Sequence, residues 1–342
     1  MTSISVYSEY QKFFSDLSSK NIHSGYGLGY LNYAFNSMNP FIVNSAICII
    51  FIVFTWVMSL IPVGKSKKRN YSYVDRLWSI APPSFAAIYI AYMNNSLHGN
   101  LLESRTFYVS LIIIIWGIRL TYNFYRRGGY SLDSEDYRWE YVKAFVNHPI
   151  LWELLNLFFI SIAQMLLLMS ITFPVHLLYV TDKAFASPLT TLDYIVFIYL
   201  LLIIAIEALS DQQQWNYQTA KYLYLKKKNS SSSTRPKKID FKYEVGFIHS
   251  GLFRLSRHPN FFCEQLLWLS IGIYCISVAS GFFPSVSYDY IIGSLSLITL
   301  FLASTDMTEK ITASKYPKYA EYQKKTSKVI PWFSQKISYK SD

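Results

Sequence analysis

Residues 251–268 read GLFRLSRHPNFFCEQLLW, and there the chain passes from a basic, polar run directly into an apolar one. We term residues 251–264 the mouth segment. Pro259 suits the first position of a helix, because the N–H that proline lacks would have no intrahelical partner there. Arg257 and His258 come just before it, and the free N–H groups at a helix start attract anions. The pattern indicates the mouth of a membrane-embedded site with phosphate at the helix start.

Asn260 and Glu264 add a polar pair to this predicted helix. They are four residues apart and share one face, with Glu264 ~6 Å deeper along the axis. A carboxylate at membrane depth is costly unless it has a partner. The pair therefore suggests that the polar head of a ligand binds there. The spacing also fits a basic anchor at the membrane interface followed by one structural glutamate.

The composition favours a membrane protein. The chain has 342 residues, of which 52% are hydrophobic and 18% aromatic. Its net charge of +11 lies in loops between apolar segments, which favours a membrane surface and an anionic cofactor over nucleic acid. Cys48, Cys263 and Cys275 fall in apolar segments, so we expect core residues, with neither a disulfide framework nor a metal site.

Seven apolar runs approach the roughly 20 residues that cross a ~30 Å hydrocarbon core. We therefore predict an all-α polytopic membrane protein of about seven transmembrane helices, with cytosolic loops that cap a cofactor cavity. Pro82 and Pro83 predict a kink in the second span, and Pro174 predicts a break near the end of the fourth. The runs cover about residues 41–63, 73–93, 106–125, 150–179, 190–209, 260–283 and 286–304.

The loop charges orient these spans. All but four of the 32 lysines and arginines lie in segments that seven spans place on one side, which the positive-inside rule makes cytosolic. Residues 1–40 are then a non-cytosolic segment without an evident cleaved signal, and the C-terminus is cytosolic. We expect a multi-span protein without a cleaved signal to reside in the endoplasmic reticulum. We predict one membrane domain over residues 41–333, with a flexible insert at 226–238 and a tail at 334–342.

Polar side chains recur at helical spacing near the same membrane depth in four places. Such stripes indicate a shared cavity on the cytosolic side, although each one alone also fits snorkelling at the interface. Besides Asn260 and Glu264, the stripes are Arg119, Tyr122, Asn123 and Arg126; Glu207, Asp211, Gln214 and Gln218; and Asp75, Trp78 and Ser79.

The loop RRGGYSLDSEDYRW, residues 126–139, concentrates charge between two spans. Arginine offers a planar donor fork to phosphate, while carboxylates suit ribose hydroxyls or hold the arginines in place. The alternative is a solvated loop that pairs with itself. No glycine-rich phosphate loop, metal-ligand spacing or nucleophile elbow is present. From this loop and the stripes we assign Asn123, Arg126, Arg127, Asp136, Arg138 and Gln214 to cofactor binding.

Five motifs in this order resemble the steroid 5-alpha-reductase superfamily, and within it the DUF1295 branch of membrane proteins. The resemblance covers residues 40–333. It implies a seven-helix reductase that binds NADPH from the cytosolic side and reduces an activated C=C bond in a steroid or other lipid. The motifs are RLTYNFYRRGG (119–129), SEDYRW (134–139), DQQQWNYQ (211–218), LFRLSRHPNFFCE (252–264) and YPKYAEYQKKTSKVIPWF (316–333).

The resemblance also implies individual cofactor contacts. Asn260 and Glu264 match the family residues that hold the cofactor, and Asp211 matches an acidic contact. In the same element Phe261 replaces the usual Tyr, and Cys263 replaces the usual Gly. The cationic or polar contacts correspond to Arg254, Arg257 and His258.

Conjugate reduction needs a donor that polarises the carbonyl oxygen. On depth and side-chain type we assign this role to Tyr122, with Asp75 as its partner or substitute. The family's Gln-Glu pair that contacts the steroid ketone has no clear match, and Asp75 is the nearest candidate. Two alternatives remain: an S-adenosylmethionine-dependent membrane methyltransferase of the isoprenylcysteine or phospholipid type, and a non-catalytic lipid-binding scaffold. The charged 126–139 loop suits a dinucleotide better than a sulfonium.

Overall fold

The computed structural model describes residues 39–65, 67–96, 101–229 and 241–333, together with residues 8, 11 and 15. Within these ranges the regular elements are helices, and extended backbone pairs only at the isolated bridges Val63–Lys68 and Ser256–Ser327. The all-α prediction is confirmed. The helices are α1 Pro40–Leu60, α2 Tyr73–Leu77, α3 Ala81–Ser96, α4 Arg105–Arg126, α5 Tyr137–Val146, α6 Pro149–Leu155, α7 Gln164–Ser170, α8 Phe173–Phe185, α9 Thr191–Asn229, α10 Phe241–Glu244, α11 Pro259–Ser280, α12 Ile292–Lys315 and α13 Tyr319–Lys325, with a π-helix at Asn156–Ala163 and 3-10 turns at Leu101–Glu103, Gly251–Arg254 and Tyr288–Ile291.

Six helical stretches of the described chain are long and apolar enough to cross a membrane, which supports an integral multi-pass protein. The predicted second span is the exception. It divides into α2 and the 16-residue α3, because a turn at residues 78–80 interrupts the helix. Pro82 and Pro83 lie in the first turn of α3, where proline is tolerated, so the predicted kink takes the form of a break just before the two prolines. The six stretches are Pro40–Leu60, Arg105–Arg126, Pro149–Phe185, Thr191–Lys226, Pro259–Ser280 and Tyr288–Lys315.

The long fourth span breaks where proline predicts it. A turn at Ile171 and Thr172 separates α7 from α8, and α8 begins with Pro174 in its first turn. Polar residues of the same span are used internally: Glu153 forms a two-bond ion pair with Arg69 at 2.7 and 2.8 Å. This pair joins the chain between α1 and α2 to α6.

The chain divides into two compact units, one of residues up to 200 with 268–297, the other of 201–267 with 298 onward. α9 continues to Asn229, so residues 226–229 of the predicted insert are helical. The rest of that insert, most of the 1–40 segment and the 334–342 tail lie outside the described residues.

In the first unit, α3 and α4 pack closely. A Cβ atom on Gly117 would lie 2.1 Å from Cγ of Pro83, so only glycine permits this approach. Fully buried aromatic side chains, among them Phe85 and Trp116, fill the interior, and Trp116 meets Trp268 edge to face at 5.0 Å. Gly117 and Pro83 also line an open groove between α3 and α4.

A buried ion-pair network forms at the N-terminal end of α4. Arg105 binds both oxygens of Asp193 at 3.2 and 2.9 Å, and its Nη1 lies 3.8 Å from Asp182. The Tyr274 hydroxyl donates to Asp193 at 2.6 Å. Arg105 therefore joins α4 to the end of α8, the start of α9 and the middle of α11.

The second unit has an aromatic core. Val245, Phe247, Tyr319 and Tyr322 form one buried cluster, in which Phe247 stacks on Tyr322 at 5.2 Å. Gly246 has φ +89° and lies against Tyr316, where a side chain would collide. This core holds α13 and the chain beyond it against the residues that precede α11.

Candidate functional site

The mouth segment begins α11 as the sequence predicts. Pro259 is its first helical residue, and the His258 N–H donates to Ser256 Oγ at 3.1 Å. The Ser256 hydroxyl in turn donates to the Val329 carbonyl at 2.6 Å, and the Arg257 N–H donates to the Ser327 carbonyl at 2.8 Å. The residues before the helix are therefore fastened to the C-terminal part of the chain.

The guanidinium of Arg257 is engaged inside the protein. Its Nε and Nη2 donate to the two carboxylate oxygens of Glu309 at 2.6 and 3.0 Å. Its Nη1 donates to the carbonyls of Gln323 and Thr326, at 2.8 Å for Gln323. Since acceptors within the chain occupy this donor fork, Arg257 has a structural role where the sequence predicts a cofactor contact.

Glu309 collects further donors on the same carboxylate. His258 Nε2 lies 3.0 Å from Oε1, the Tyr319 hydroxyl donates to Oε1 at 3.2 Å, and Gln323 Nε2 donates to Oε2 at 2.9 Å. Both Glu309 and the Arg257 side chain are buried. His258 also stacks on Phe261, with ring centroids 5.3 Å apart. His258, predicted as a polar cofactor contact, is thus held in one orientation by α12.

Sequence reasoning missed Glu309. The predicted last span ended at residue 304, which left Glu309 among the charges of the tail, whereas α12 continues to Lys315. The signal available was an acidic residue at helical spacing from the end of an apolar run. Its partners were not readable, because Arg257 precedes it by 52 positions.

Asp211 and Asn260 come together from different helices. The Asn260 amide donates to Asp211 Oδ1 at 3.5 Å, which joins α9 to the first turn of α11. Glu264 lies one turn further along α11 and is buried, as is Asp211. Three of the predicted cofactor ligands therefore lie in one neighbourhood of the second unit.

Gln214 provides the test of whether this neighbourhood fits a cofactor. Its Oε1 atom is buried, and no donor among the described residues reaches it. It follows Asp211 by three positions on α9, so the two acceptors share a helix face. A ligand that carries hydroxyl or amide donors would satisfy this oxygen, and the ribose and carboxamide groups of NADPH are such donors. The acceptors present fit that group.

Arg254 is an exposed cation six residues before Asn260, in the 3-10 turn Gly251–Arg254. Gln213 supports the turn by accepting from the Leu252 N–H at 2.9 Å. Gly251 has φ +63°, and a Cβ there would lie 2.4 Å from the Gln213 oxygen, so the turn requires glycine. Because its side chain is exposed, Arg254 can reach an anionic ligand.

In the first unit, the 126–139 loop pairs largely with itself. Asn123 Oδ1 accepts from Nε and Nη2 of Arg126 at 3.0 and 2.8 Å, and the Asn123 carbonyl accepts from Arg127 at 3.2 Å. Asp136 caps α5 and binds Arg138 through two bonds of 2.8 Å. These contacts agree with the alternative of a loop that pairs with itself. They occupy the Asp136 carboxylate and some of the arginine N–H donors.

Burial works to raise the pKa of Asp136, but hydrogen bonds and charge from Arg138 outweigh it and hold that pKa below its ordinary value. The pKa of the Arg138 guanidinium is raised in turn, since Asp136 outweighs the effect of burial. Both groups are therefore charged at neutral pH.

The loop is also attached to α2 and to the residue before it. Arg76, a residue that the sequence marks only as a loop charge, donates to the carbonyls of Gly129, Ser131 and Ser134 at 2.9–3.2 Å. The Asp136 N–H donates to the Ser72 hydroxyl at 2.8 Å. Carbonyl acceptors of this kind carry no sequence signal, and Arg76 was missed for that reason.

Tyr122 lines an open groove between α3 and α4 with a cavity volume of about 620 Å³. The groove is mostly apolar, and its polar part is a chain of hydroxyls: Thr121 donates to Ser79 at 2.9 Å, and Ser79 lies 2.9 Å from the Tyr130 hydroxyl. Tyr122 is exposed on this surface. The groove can hold an apolar body with one polar oxygen.

Asp75 does not form the predicted partnership with Tyr122. No hydrogen bond joins them among the described residues, and Asp75 instead accepts from the Trp139 indole at 3.0 Å. Burial raises the pKa of Asp75, against the opposing charge of Arg138. A carboxyl group with a raised pKa is compatible with a proton donor, but its contact with Trp139 of α5 is structural.

The predicted core cysteines Cys48, Cys263 and Cys275 are buried and free. Among the described residues, no group of three His, Cys, Asp or Glu side chains is placed to hold a metal ion.

Comparison with known proteins places the chain in a family. The family described as "Protein of unknown function (DUF1295)" matches residues 62–326. The chain belongs to the DUF1295 family. A Schizosaccharomyces pombe (strain 972) protein described as uncharacterized is 35% identical to this DUF1295 chain over 312 residues, which cover 89% of this chain and 83% of the relative. No solved structure matches the DUF1295 chain. The family match includes both the 126–139 loop and the mouth segment.

Proposed function

We propose that this protein is a membrane oxidoreductase that uses NADPH to reduce an activated C=C bond in a sterol or other lipid. The contact between Asp211 and Asn260 carries the proposal, because it joins predicted cofactor ligands that are 49 residues apart in the chain. The buried acceptor oxygen of Gln214 lies one turn from Asp211 and suits a donor-rich ligand.

In this proposal the protein binds and orients its ligands. Asn260, Asp211 and Gln214 hold hydroxyl and amide groups, Glu264 supports them from one turn deeper, and Arg254 binds phosphate. When bound, NADPH supplies a hydride to one carbon of the double bond, and a proton completes the reduction at the other. Tyr122 polarises the substrate carbonyl by donating a hydrogen bond, while the apolar α3–α4 groove receives the lipid body.

One observation favours a second candidate function, S-adenosylmethionine-dependent methyl transfer. Arg257 and His258 are engaged with Glu309, so the second unit offers fewer cations to a phosphate-rich cofactor than the sequence suggests. A sulfonium cofactor requires fewer such cations and suits carboxylates such as Asp211.

Thermal unfolding of the purified full-length protein with NADPH, NADH or S-adenosylmethionine distinguishes these functions, because a ligand of the folded state raises the melting temperature. We expect a shift with NADPH that Glu264→Gln abolishes. The matched control is Glu321→Gln, an exposed carboxylate in the same unit, which should keep the shift. A shift with S-adenosylmethionine alone would assign methyl transfer, and no shift with a folded sample would leave a lipid-binding scaffold.

For the cellular arrangement, we propose residence in the endoplasmic reticulum with the C-terminus in the cytosol. The positions of the basic segments support a cytosolic C-terminus, provided that the 16-residue α3 also crosses the membrane. At ~1.5 Å per residue α3 is ~24 Å long, slightly shorter than a typical hydrocarbon core. Protease accessibility of a C-terminal tag in sealed microsomes tests the proposal, and full protection would contradict it.

A further inference from the structure

The C-terminal part of the second unit presents an exposed apolar patch that the proposed function does not use. Four side chains form this patch, and they include two aromatic rings whose centroids are 6.2 Å apart. The exposed fractions are 39% for Leu255, 67% for Ile330, 69% for Trp332 and 91% for Phe333. None of these residues belongs to a membrane-crossing helix. Lipid contact along a span therefore does not account for them.

The patch is held by backbone hydrogen bonds. The Trp332 N–H donates to the Leu255 carbonyl at 2.9 Å, so residues from two distant parts of the chain are fixed side by side. The adjacent Ser256–Val329 bond and the Ser256–Ser327 bridge continue this attachment. These bonds join the backbones of the two segments, and the four large side chains project away from them into solvent.

The position of the patch identifies its partner. Leu255 precedes Pro259, the first residue of a candidate membrane span, by four residues, which is at most ~14 Å of extended chain. Arg254 is exposed next to Leu255, so a cation borders the apolar surface. Tryptophan with neighbouring cations is typical of the membrane–water interface, where an apolar ring and a charge are both accommodated.

We propose that Leu255, Ile330, Trp332 and Phe333 form a membrane-surface contact that inserts into the headgroup region of an anionic phospholipid bilayer. The insertion removes exposed apolar area from water and adds electrostatic attraction. Since the same chain segment carries the partners of Arg257, the bilayer holds the mouth segment at a fixed depth. The inference does not depend on the identity of the cofactor.

Site-specific fluorescence in lipid nanodiscs tests this contact with the full chain. A bimane label is placed at Trp332→Cys or Phe333→Cys, while the three native cysteines are buried and give little background. The nanodiscs contain phosphatidylcholine and phosphatidylserine with or without brominated acyl chains. The matched control is Lys324→Cys, which is exposed on α13 of the same unit. All three substitutions lie at exposed positions, so the fold is preserved.

We expect brominated lipid to quench the labels at positions 332 and 333, and iodide to quench them less than it quenches the control label. Lipid quenching that disappears when phosphatidylserine is omitted would also support the proposal, since it would show that the insertion requires anionic headgroups. Equal iodide quenching at positions 332 and 324, without quenching by brominated lipid, would overturn the proposal.

Discussion

Two arginine–carboxylate pairs in this protein have similar chemistry but differ in sequence separation and in burial. Asp136 and Arg138 are two residues apart and their side chains are 24% and 32% exposed. Arg257 and Glu309 are 52 residues apart, and theirs are 8% and 6% exposed. The first pair closes a local turn at the start of α5, whereas the second joins the start of α11 to α12.

The two pairs differ in how much water their charged groups lose on folding, and therefore in how much they contribute to stability. In a partly exposed pair each charged group is still hydrated, so formation of the ion pair stabilises the protein by only about 0–1 kcal/mol. A buried carboxylate that has lost its water needs every one of its donors, and removal of a partner from such a pair typically costs about 3–5 kcal/mol. Similar residue types therefore define a surface turn in one region and a structural centre in the other.

The largest expected effect is that of Glu309→Gln. The amide keeps the size of the side chain but leaves Arg257 buried without a counter-charge, so we expect the free energy of unfolding to fall by about 3–5 kcal/mol. Denaturant unfolding in detergent micelles, followed by tryptophan fluorescence, measures it. A loss below about 1 kcal/mol would show that the buried pair behaves like the exposed one, and the comparison would fail.

Asp136→Asn should lower the free energy of unfolding by about 0.5–1 kcal/mol at pH 7, because asparagine still caps α5 and only the charge pair is lost. The folded-state pKa of Asp136 lies below the ordinary value of 3.8. Its contribution is therefore fully present above pH 3.8 and disappears as the pH falls through the folded-state pKa. Unfolding of both proteins at pH 7 and at lower pH checks this, and a difference that persists at the lowest pH would contradict it.

Asp75→Asn tests a carboxyl group with the opposite pKa shift. Its folded-state pKa lies above the ordinary value, so ionisation near neutral pH opposes folding, and the opposition is relieved as the pH falls through the folded-state pKa. We expect the variant to be more stable at pH 7 by about 0.5 kcal/mol, since the remaining oxygen still accepts from Trp139. At acidic pH the two melting curves should converge. A destabilised variant at pH 7 would mean that the charged form is the one that α5 requires.

The smallest effect belongs to Glu321→Gln, which removes an exposed ion pair with Lys325 one turn away on α13. We expect a loss of about 0.3 kcal/mol, reduced further by added salt. Glu321 and Glu309 lie in the same unit. The ratio of the decreases in the free energy of unfolding that the two substitutions cause therefore reports the effect of burial on an ion pair. A loss as large as that of Glu309→Gln would indicate general fragility of α13 instead.

Much of the candidate site follows local rules. The start of α11 at Pro259 and the end of α4 before Gly128 follow from the backbone limits of proline and glycine. The self-pairing of Asp136 with Arg138 was one of two alternatives that the residue spacing left open. The predicted partnership of Asp75 with Tyr122 was not formed, because the Trp139 indole reaches Asp75 from a different helix.

The sequence by itself determined the helical, membrane-crossing character of the chain, the boundaries set by Pro259, Pro174 and Gly128, and the resemblance to the DUF1295 family. Those features depend on hydrophobic runs and on the conformational limits of single residues, which act within a few positions. Only the tertiary structure decided that Arg257 and His258 serve Glu309, and that the chain near Val329 fastens to Ser256. Such contacts depend on which helices meet, and residue spacing carries no information about partners some 50 or 70 positions away.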